Sequence, residues 1–306
     1  MCRNPSRRKG QKAPERHAVR RVCSCQPRVM KLKKAYLEIT NVCNLNCAFC
    51  PGTRREKRFM STDEFAVLAQ KLRPYTDHLY LHLMGEPLVH DALPAMLGMA
   101  DALGFRVVIT TNGTLLGERG GALLASPAVH KVNISLQSFE ANEGGMLKSY
   151  VNQCADFASA AGRGGKLCVL RLWNQNGLDG LNAEIERLLR QHFPAPWRES
   201  RGSFALADRV WLEPGKKFDW PDMSAADGGE RLFCYGLRDQ IGVLCDGTVV
   251  PCCLDHEGDL ALGNLFESTL DEILSGERAR RIYDGFSRRH AAEELCRRCG
   301  YARRFT

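Results

Sequence analysis

From residue 35 onward, short runs of alternating or continuous apolar residues take turns with longer segments whose apolar positions recur every three or four residues. Ala35-Tyr36-Leu37-Glu38-Ile39-Thr40 alternates as a β-strand does. Ser61-Thr62-Asp63-Glu64 opens a helix with a capping side chain and acids in its first turn, running to about Arg73, ahead of Pro74. Residues 78–84 predict the next strand, closed by Gly85-Glu86-Pro87, and a helix over 91–103 stops at Gly104. A buried-type strand over 105–110 ends at Asn112-Gly113, and another follows over 131–136. A helix over 148–161, a strand over 166–173 and a helix over 179–192 come next, the last with Leu181, Ile185, Leu188 and Leu189 on one face. Residues 194–208 read as irregular, and 209–212 as a last strand.

About six strand–helix alternations of this length predict parallel strands joined by right-handed crossovers. The expected fold is α/β, a partial (β/α)6 TIM-like barrel. A Pro/Gly/Asp-rich stretch then changes the pattern, and the remainder is short and rich in cysteine. The expected organisation is a tail over 1–34, a barrel over 35–213, a linker over 214–233 and a small second domain over 234–306.

Charge divides the chain further. The net +8 is misleading, because twelve of the 43 Lys and Arg but only one of the 35 acids, Glu15, fall in residues 1–34. The tail carries +11 and the rest −3. Such a block reads first as a solvated, disordered arm; contact with RNA phosphates is the competing, less favoured reading. No run approaches the ~18–20 apolar residues that cross a bilayer, and the basic start lacks a signal peptide's apolar core. A cytoplasmic protein without membrane contact is expected.

Fourteen cysteines in short-spaced groups favour metal ligation in a reducing compartment over disulfides. Cys43, Cys47 and Cys50 place three thiolates within eight residues, directly after the first strand. Soft thiolates suit an iron–sulfur cubane, and three ligands leave one iron open. A zinc site would want a fourth Cys or His in the loop, which has neither. Further along, Asp246-Gly247 between apolar runs signals a hairpin that delivers Cys252 at its end, and Cys296-Arg297-Arg298-Cys299 is a CxxC pair after a helical stretch over 270–288. With Cys234 these make a plausible closed four-thiolate site, a zinc site being the alternative. Cys252 and Cys253 compete for one position. Cys154 and Cys168 read as buried, inert thiols.

CxxxCxxC after the first strand, with Phe49 before the last cysteine, resembles the radical S-adenosylmethionine (SAM) superfamily. Met84-Gly85-Glu86-Pro87 resembles that family's GGEP motif, with Met84 in place of the first glycine. Thr111-Asn112-Gly113 resembles its TNG turn. Ser135, Gln137 and Arg171 stand at or near later strand ends, where relatives place polar groups for the ribose and carboxylate of the cofactor; for Arg171 a structural salt bridge is the equal alternative. The Asp246-Gly247 hairpin with Cys252, Gly263-Asn264-Leu265 and the closing CxxC resemble the SPASM/twitch extension.

The resemblance implies a [4Fe–4S] cluster on Cys43, Cys47 and Cys50, S-adenosylmethionine on its open iron, and an auxiliary [4Fe–4S] cluster on Cys234, Cys252, Cys296 and Cys299. It implies reductive cleavage to a 5′-deoxyadenosyl radical, fed by a reductant such as flavodoxin or ferredoxin. The radical would take hydrogen from a peptide, a protein side chain or a small metabolite, in a net oxidation or crosslink. An RNA-modifying enzyme and a noncatalytic iron–sulfur carrier are the competing readings. Glu38, His82 and Gln137 are candidates for a general base facing the barrel interior.

Overall fold

A computed structural model describes residues 31–141 and 146–305. The expectations for residues 1–30 lie outside the described residues. Six parallel strands form the main wall: β1 (Lys34–Leu37), β2 (His78–Tyr80), β3 (Arg106–Thr111), β4 (Val129–Ser135), β5 (Leu167–Gln175) and β8 (Val210–Lys216). Between them run α1 (Thr62–Leu72), α2 (Leu93–Ala102), α3 (Leu116–Ala125), α4 (Leu147–Arg163) and α5 (Asn182–His192). The α1 start is the capping box its sequence announces: Ser61 Oγ accepts from the Glu64 N–H, and Glu64 answers to the Ser61 N–H.

The strands are sided. Ala35 and Leu37, Leu79 and Leu81, Val107 and Ile109, Val132 and Ile134, and Leu170 and Leu172 are buried in the apolar core. The alternate positions include Lys34 and Tyr36, Tyr80 and His82, Lys131 and Asn133, and Arg171 and Trp173, which line a central cavity. The period-two alternation therefore puts an apolar layer toward the helices and a polar lining inside the arc. A lumen lined this way is a place for a ligand, since side chains alone would leave its polar groups unpaired.

Three expectations change. Residues 194–208 are not irregular: β6 (Arg198–Ser200) and β7 (Ser203–Ala207) form a hairpin that adds antiparallel to β8. Its turn is Arg201-Gly202, both at positive φ (52° and 77°), the two-residue geometry that matches strand twist. All of β6 is exposed, so it has no apolar alternation to announce it. The second strand holds only to Tyr80, because the chain turns inward toward Gly85, with the Leu81 N–H making one more bond to the Val108 carbonyl. The helical stretch over 270–288 is two helices, α6 (Leu270–Ser275) and α7 (Glu277–Ser287), separated by Gly276 in an extended conformation.

The cysteine-rich end is joined to the barrel sheet. β9 (Gln240–Val243) lies parallel against β1, followed by antiparallel β10 (Thr248–Val250) and β11 (Gly263–Asn264). The eleven strands form one open sheet in the order β11-β10-β9-β1-β2-β3-β4-β5-β8-β7-β6. Leu265, Ile282 and Phe286 belong to the same core as Phe65, Ile109 and Leu170. No described helix is long and apolar enough to cross a membrane.

Candidate cofactor and substrate cavity

The first cysteine set occupies the loop beyond the C-terminal end of β1. Cys43 is exposed, and Cys47 and Cys50 are half-buried. The Leu45 N–H points at Cys43 Sγ (3.5 Å), as does Asn112 Nδ2 (3.9 Å), and the Ser138 hydroxyl donates to Cys47. Burial pushes the Cys47 thiol up to about 11, with Cys50 and Cys43 as charged neighbours adding to the rise. Three adjacent thiols, none in a disulfide and ringed by N–H and O–H donors, are a donor set that fits a cluster whose irons displace the protons.

The other strand-end motifs close on this loop. Gly85 has φ +74°, and a Cβ there would stand 2.5 Å from the Thr40 carbonyl and 2.8 Å from that of Val42, so only glycine lets the two segments touch. The Glu86 N–H donates to the Val42 carbonyl (2.9 Å). The buried Glu86 carboxylate accepts from the Leu88 N–H (3.0 Å) and the Asn112 N–H (2.6 Å). Burial raises it to about 7 even against these bonds. Asn112 Nδ2 also reaches Asn44 Oδ1 (2.9 Å). Met84 and Pro87 are buried, and Thr111 lends its hydroxyl to Glu86.

Glu38 changes role. It is fully buried and accepts two bonds from Arg55 (2.7 and 2.8 Å), one from the Met84 N–H (3.2 Å) and one from the Cys245 N–H (3.1 Å). A carboxylate so engaged holds four segments together and is not a free base. Sequence reasoning missed this tie, although an acid inside the apolar run that follows β1 is itself a signal.

One cavity of about 760 Å³ runs through the arc. Phe49, Ser135 and Gln137 line it near the strand C-terminal ends; Cys234, Cys252, Cys296 and Cys299 line its other pole. The Phe49 carbonyl is held by Trp220 Nε1 (3.1 Å), from the expected linker. Arg171 stands level with Ser135 on β4 and Glu213 on β8. Its Nε is 3.6 Å from Glu213, beyond a hydrogen bond, and its guanidinium lies 4.3 Å over the Trp173 ring. Its partners are Glu213, with which it forms an ion pair, and Trp173, Tyr36 and Tyr80 of the cavity wall, rather than the first cysteine loop. His82 is half-buried, and desolvation followed by Arg171 and Lys34 holds its pKa down to about 3, so it is neutral at ordinary pH.

The second cysteine set converges from three segments. Gly247, at φ +84°, makes the hairpin turn, and a Cβ there would meet the Phe266 ring at 2.4 Å. Cys252 follows β10 and has Cys234, Cys253 and Cys296 as neighbours that raise its thiol, after burial. Cys296 in turn senses Cys234 and Cys299. The Gly236 N–H donates to Cys234 Sγ (3.4 Å). The adjacent Cys253 turns into the barrel, where the Tyr36 hydroxyl bonds it. Among the described residues no three Cys, His or acidic side chains close on a single ion-sized point. A cubane offers separate irons, so its thiolates stand farther apart than those around one zinc. Cys154 and Cys168 are fully buried.

The radical SAM superfamily model matches residues 37–154, and the SPASM model, an iron–sulfur cluster-binding domain, matches residues 234–300. Residues 37–154 are thus a radical SAM domain and residues 234–300 a SPASM domain. A radical SAM domain carries a [4Fe–4S] cluster with S-adenosylmethionine, and a SPASM domain carries auxiliary iron–sulfur clusters. Among curated proteins, the chain is 32% identical over 101 residues to Fe-coproporphyrin III synthase of Methanosarcina barkeri, covering 32% of this chain and 25% of that one. It is 29% identical over 130 residues to a probable GTP 3′,8-cyclase of Methanocella arvoryzae, covering 40% and 39%. The chain thus spans well under half the length of these curated relatives. Among solved structures, Streptococcus suis SuiB shares the fold with a TM-score of 0.59 at 16% identity, over 88% of this chain and 72% of SuiB. BtrN in complex with AdoMet and 2-DOIA does so with a TM-score of 0.55 at 17% identity, over 88% and 92%.

Proposed function

We propose that this chain is an enzyme that binds a [4Fe–4S] cluster through Cys43, Cys47 and Cys50, binds an auxiliary [4Fe–4S] cluster through Cys234, Cys252, Cys296 and Cys299, and removes hydrogen from a substrate held between them. The observation that carries this reading is the single cavity with one cysteine set beyond its strand-end pole and the other set lining the opposite pole. When bound, the cluster and S-adenosylmethionine supply a 5′-deoxyadenosyl radical by one-electron cleavage of a carbon–sulfur bond.

The chain's own residues position and shield. Asn112 and the Leu45 N–H orient Cys43. Glu86 anchors the Gly85 turn to Asn112, so the backbone offered to the methionine amino group and the cysteine loop keep one geometry. Phe49, Ser135 and Gln137 form the wall nearest the cofactor, and Trp220 covers the cavity beside Phe49. Cys252 serves as ligand because Cys234 and Cys296 are both its neighbours; Cys253 lies near Cys234 and Cys299 as well but bonds the Tyr36 hydroxyl. A closed four-thiolate auxiliary set favours passage of an electron out of the substrate, hence a net oxidation or crosslink, with flavodoxin or ferredoxin as the incoming reductant. The substrate is a small metabolite or a peptide side chain: one neighbour is described bound to its precursor peptide SuiA, another with 2-DOIA.

The test is anaerobic reconstitution followed by measurement of 5′-deoxyadenosine from S-adenosylmethionine. Wild type forms it; Cys47→Ala abolishes it. Formation that survives Cys47→Ala sinks the reading.

A further inference from the structure

The cavity carries an excess of positive charge that the protein answers only in part. Lys34 opens β1 and Lys131 lies early in β4, both toward the strand N-terminal ends, and Arg171 lies further along β5. All three line the same cavity. Neither lysine amino group has an ion pair or hydrogen bond among the described residues; Lys34 Nζ rests 5.2 Å over each of the Tyr36 and Tyr80 rings. Glu213 forms an ion pair with Arg171 at 3.6 Å and also faces Lys131, so one carboxylate answers part of this charge and both lysines remain without an ion pair of their own. Asp239, at the rim, is engaged by Lys33 at 2.6 Å. The three cations also repel one another: burial lowers the pKa of Lys131 first, then Arg171, with Glu213 opposing and Lys34 a further contributor.

Three cations facing one carboxylate leave unbalanced charge in a half-buried space, which destabilises a fold. The cavity adds a second sign of an absent partner. Arg171 Nε, His82 Nδ1, Asn133 Oδ1 and Gln137 Oε1 are buried polar atoms without hydrogen-bond partners, and their residues line the same space. A ligand bearing an oxyanion at one end and hydrogen-bonding groups along its length would satisfy both.

We propose that Lys34, Lys131 and Arg171 dock an oxyanion of the substrate, so the molecule attacked bears a carboxylate or a phosphate. The proposal rests on the reading of this cavity as the substrate site and deepens it. The lysines lie toward the strand N-terminal ends and Arg171 level with Ser135, so the anion sits between them within the arc.

The experiment measures binding of inorganic pyrophosphate and of glutarate to the anaerobically reconstituted full chain, against sodium chloride of equal ionic strength. Wild type binds at least one of them, and the tighter of the two identifies phosphate or carboxylate. Lys34→Gln and Lys131→Gln each weaken that binding tenfold or more, and Lys131→Arg restores most of it. The unliganded melting temperature of both Gln variants stays level or rises, because repulsion is relieved; a structural role would lower it. Unchanged affinity in both variants, or no binding beyond chloride, overturns the proposal. So does failure of both variants to fold. Formation of 5′-deoxyadenosine is measured separately: its absence in wild type would sink the radical reading and leave the anion result standing.

Discussion

Glu38 shows how one side chain can join distant parts of this chain. Its carboxylate meets Arg55 from the return of the cysteine loop, Met84 before Gly85, and Cys245 in the hairpin. Removing it leaves Arg55 half-desolvated and two N–H groups unpaired. Glu38→Ala should cost about 3–5 kcal/mol in denaturant unfolding, the range for breaking a buried pair on one side. Glu38→Ala with Arg55→Ala should recover part of it, which a double-mutant cycle reads directly. Nothing in a six-residue alternating strand distinguishes an acid that serves as a base from one saturated by neighbours. That difference lies in residues 17, 46 and 207 positions away.

His82 gives a pH prediction. Its folded pKa is pushed down to about 3, below the ordinary value of 6.5. The unfolded chain therefore takes up a proton first as pH falls, and stability present above about 6.5 is lost progressively toward about 3. His82→Gln should make that acid-side slope shallower in denaturation series run across this window. An unchanged slope would show that other groups govern acid unfolding.

At the scale of elements, the hairpin β9–β10 is the piece that brings Cys252 to the other cysteines. Its turn depends on Gly247, where a Cβ meets Phe266 at 2.4 Å and φ is +84°. Gly247→Ala should displace Cys252. Iron should fall from about eight to about four per chain, two cubanes becoming one, while the first set keeps its cluster. The Asp-Gly signal for this hairpin was legible in the chain. The β6–β7 hairpin was not, because its fully exposed strand has no buried face and its pairing comes from two left-handed turn residues. The break at Gly276 was also hidden, since apolar spacing continues on both sides of it.

The whole molecule is one open sheet with a core shared across both matched families. β9 pairs with β1 over four registered positions, so the cysteine-rich end completes the barrel's first edge. Unfolding should therefore be a single transition: tryptophan fluorescence and loss of cluster absorbance should change at the same denaturant concentration. Two separated transitions would show that the parts fold independently.

By itself the amino-acid sequence determined the ligand chemistry and the layering. Three thiols in one loop, a glycine before Glu86, a CxxC near the end and period-two alternation are local facts, set by chain spacing and side-chain type. Only the tertiary structure decided what meets across strands. It placed Lys34, Lys131 and Arg171 in one cavity, brought Cys234, Cys252, Cys296 and Cys299 to that cavity from three segments, and locked Glu38. The reason is register: in a sheet, each residue's face and height are set by its neighbours' pairing, and no single strand carries that information.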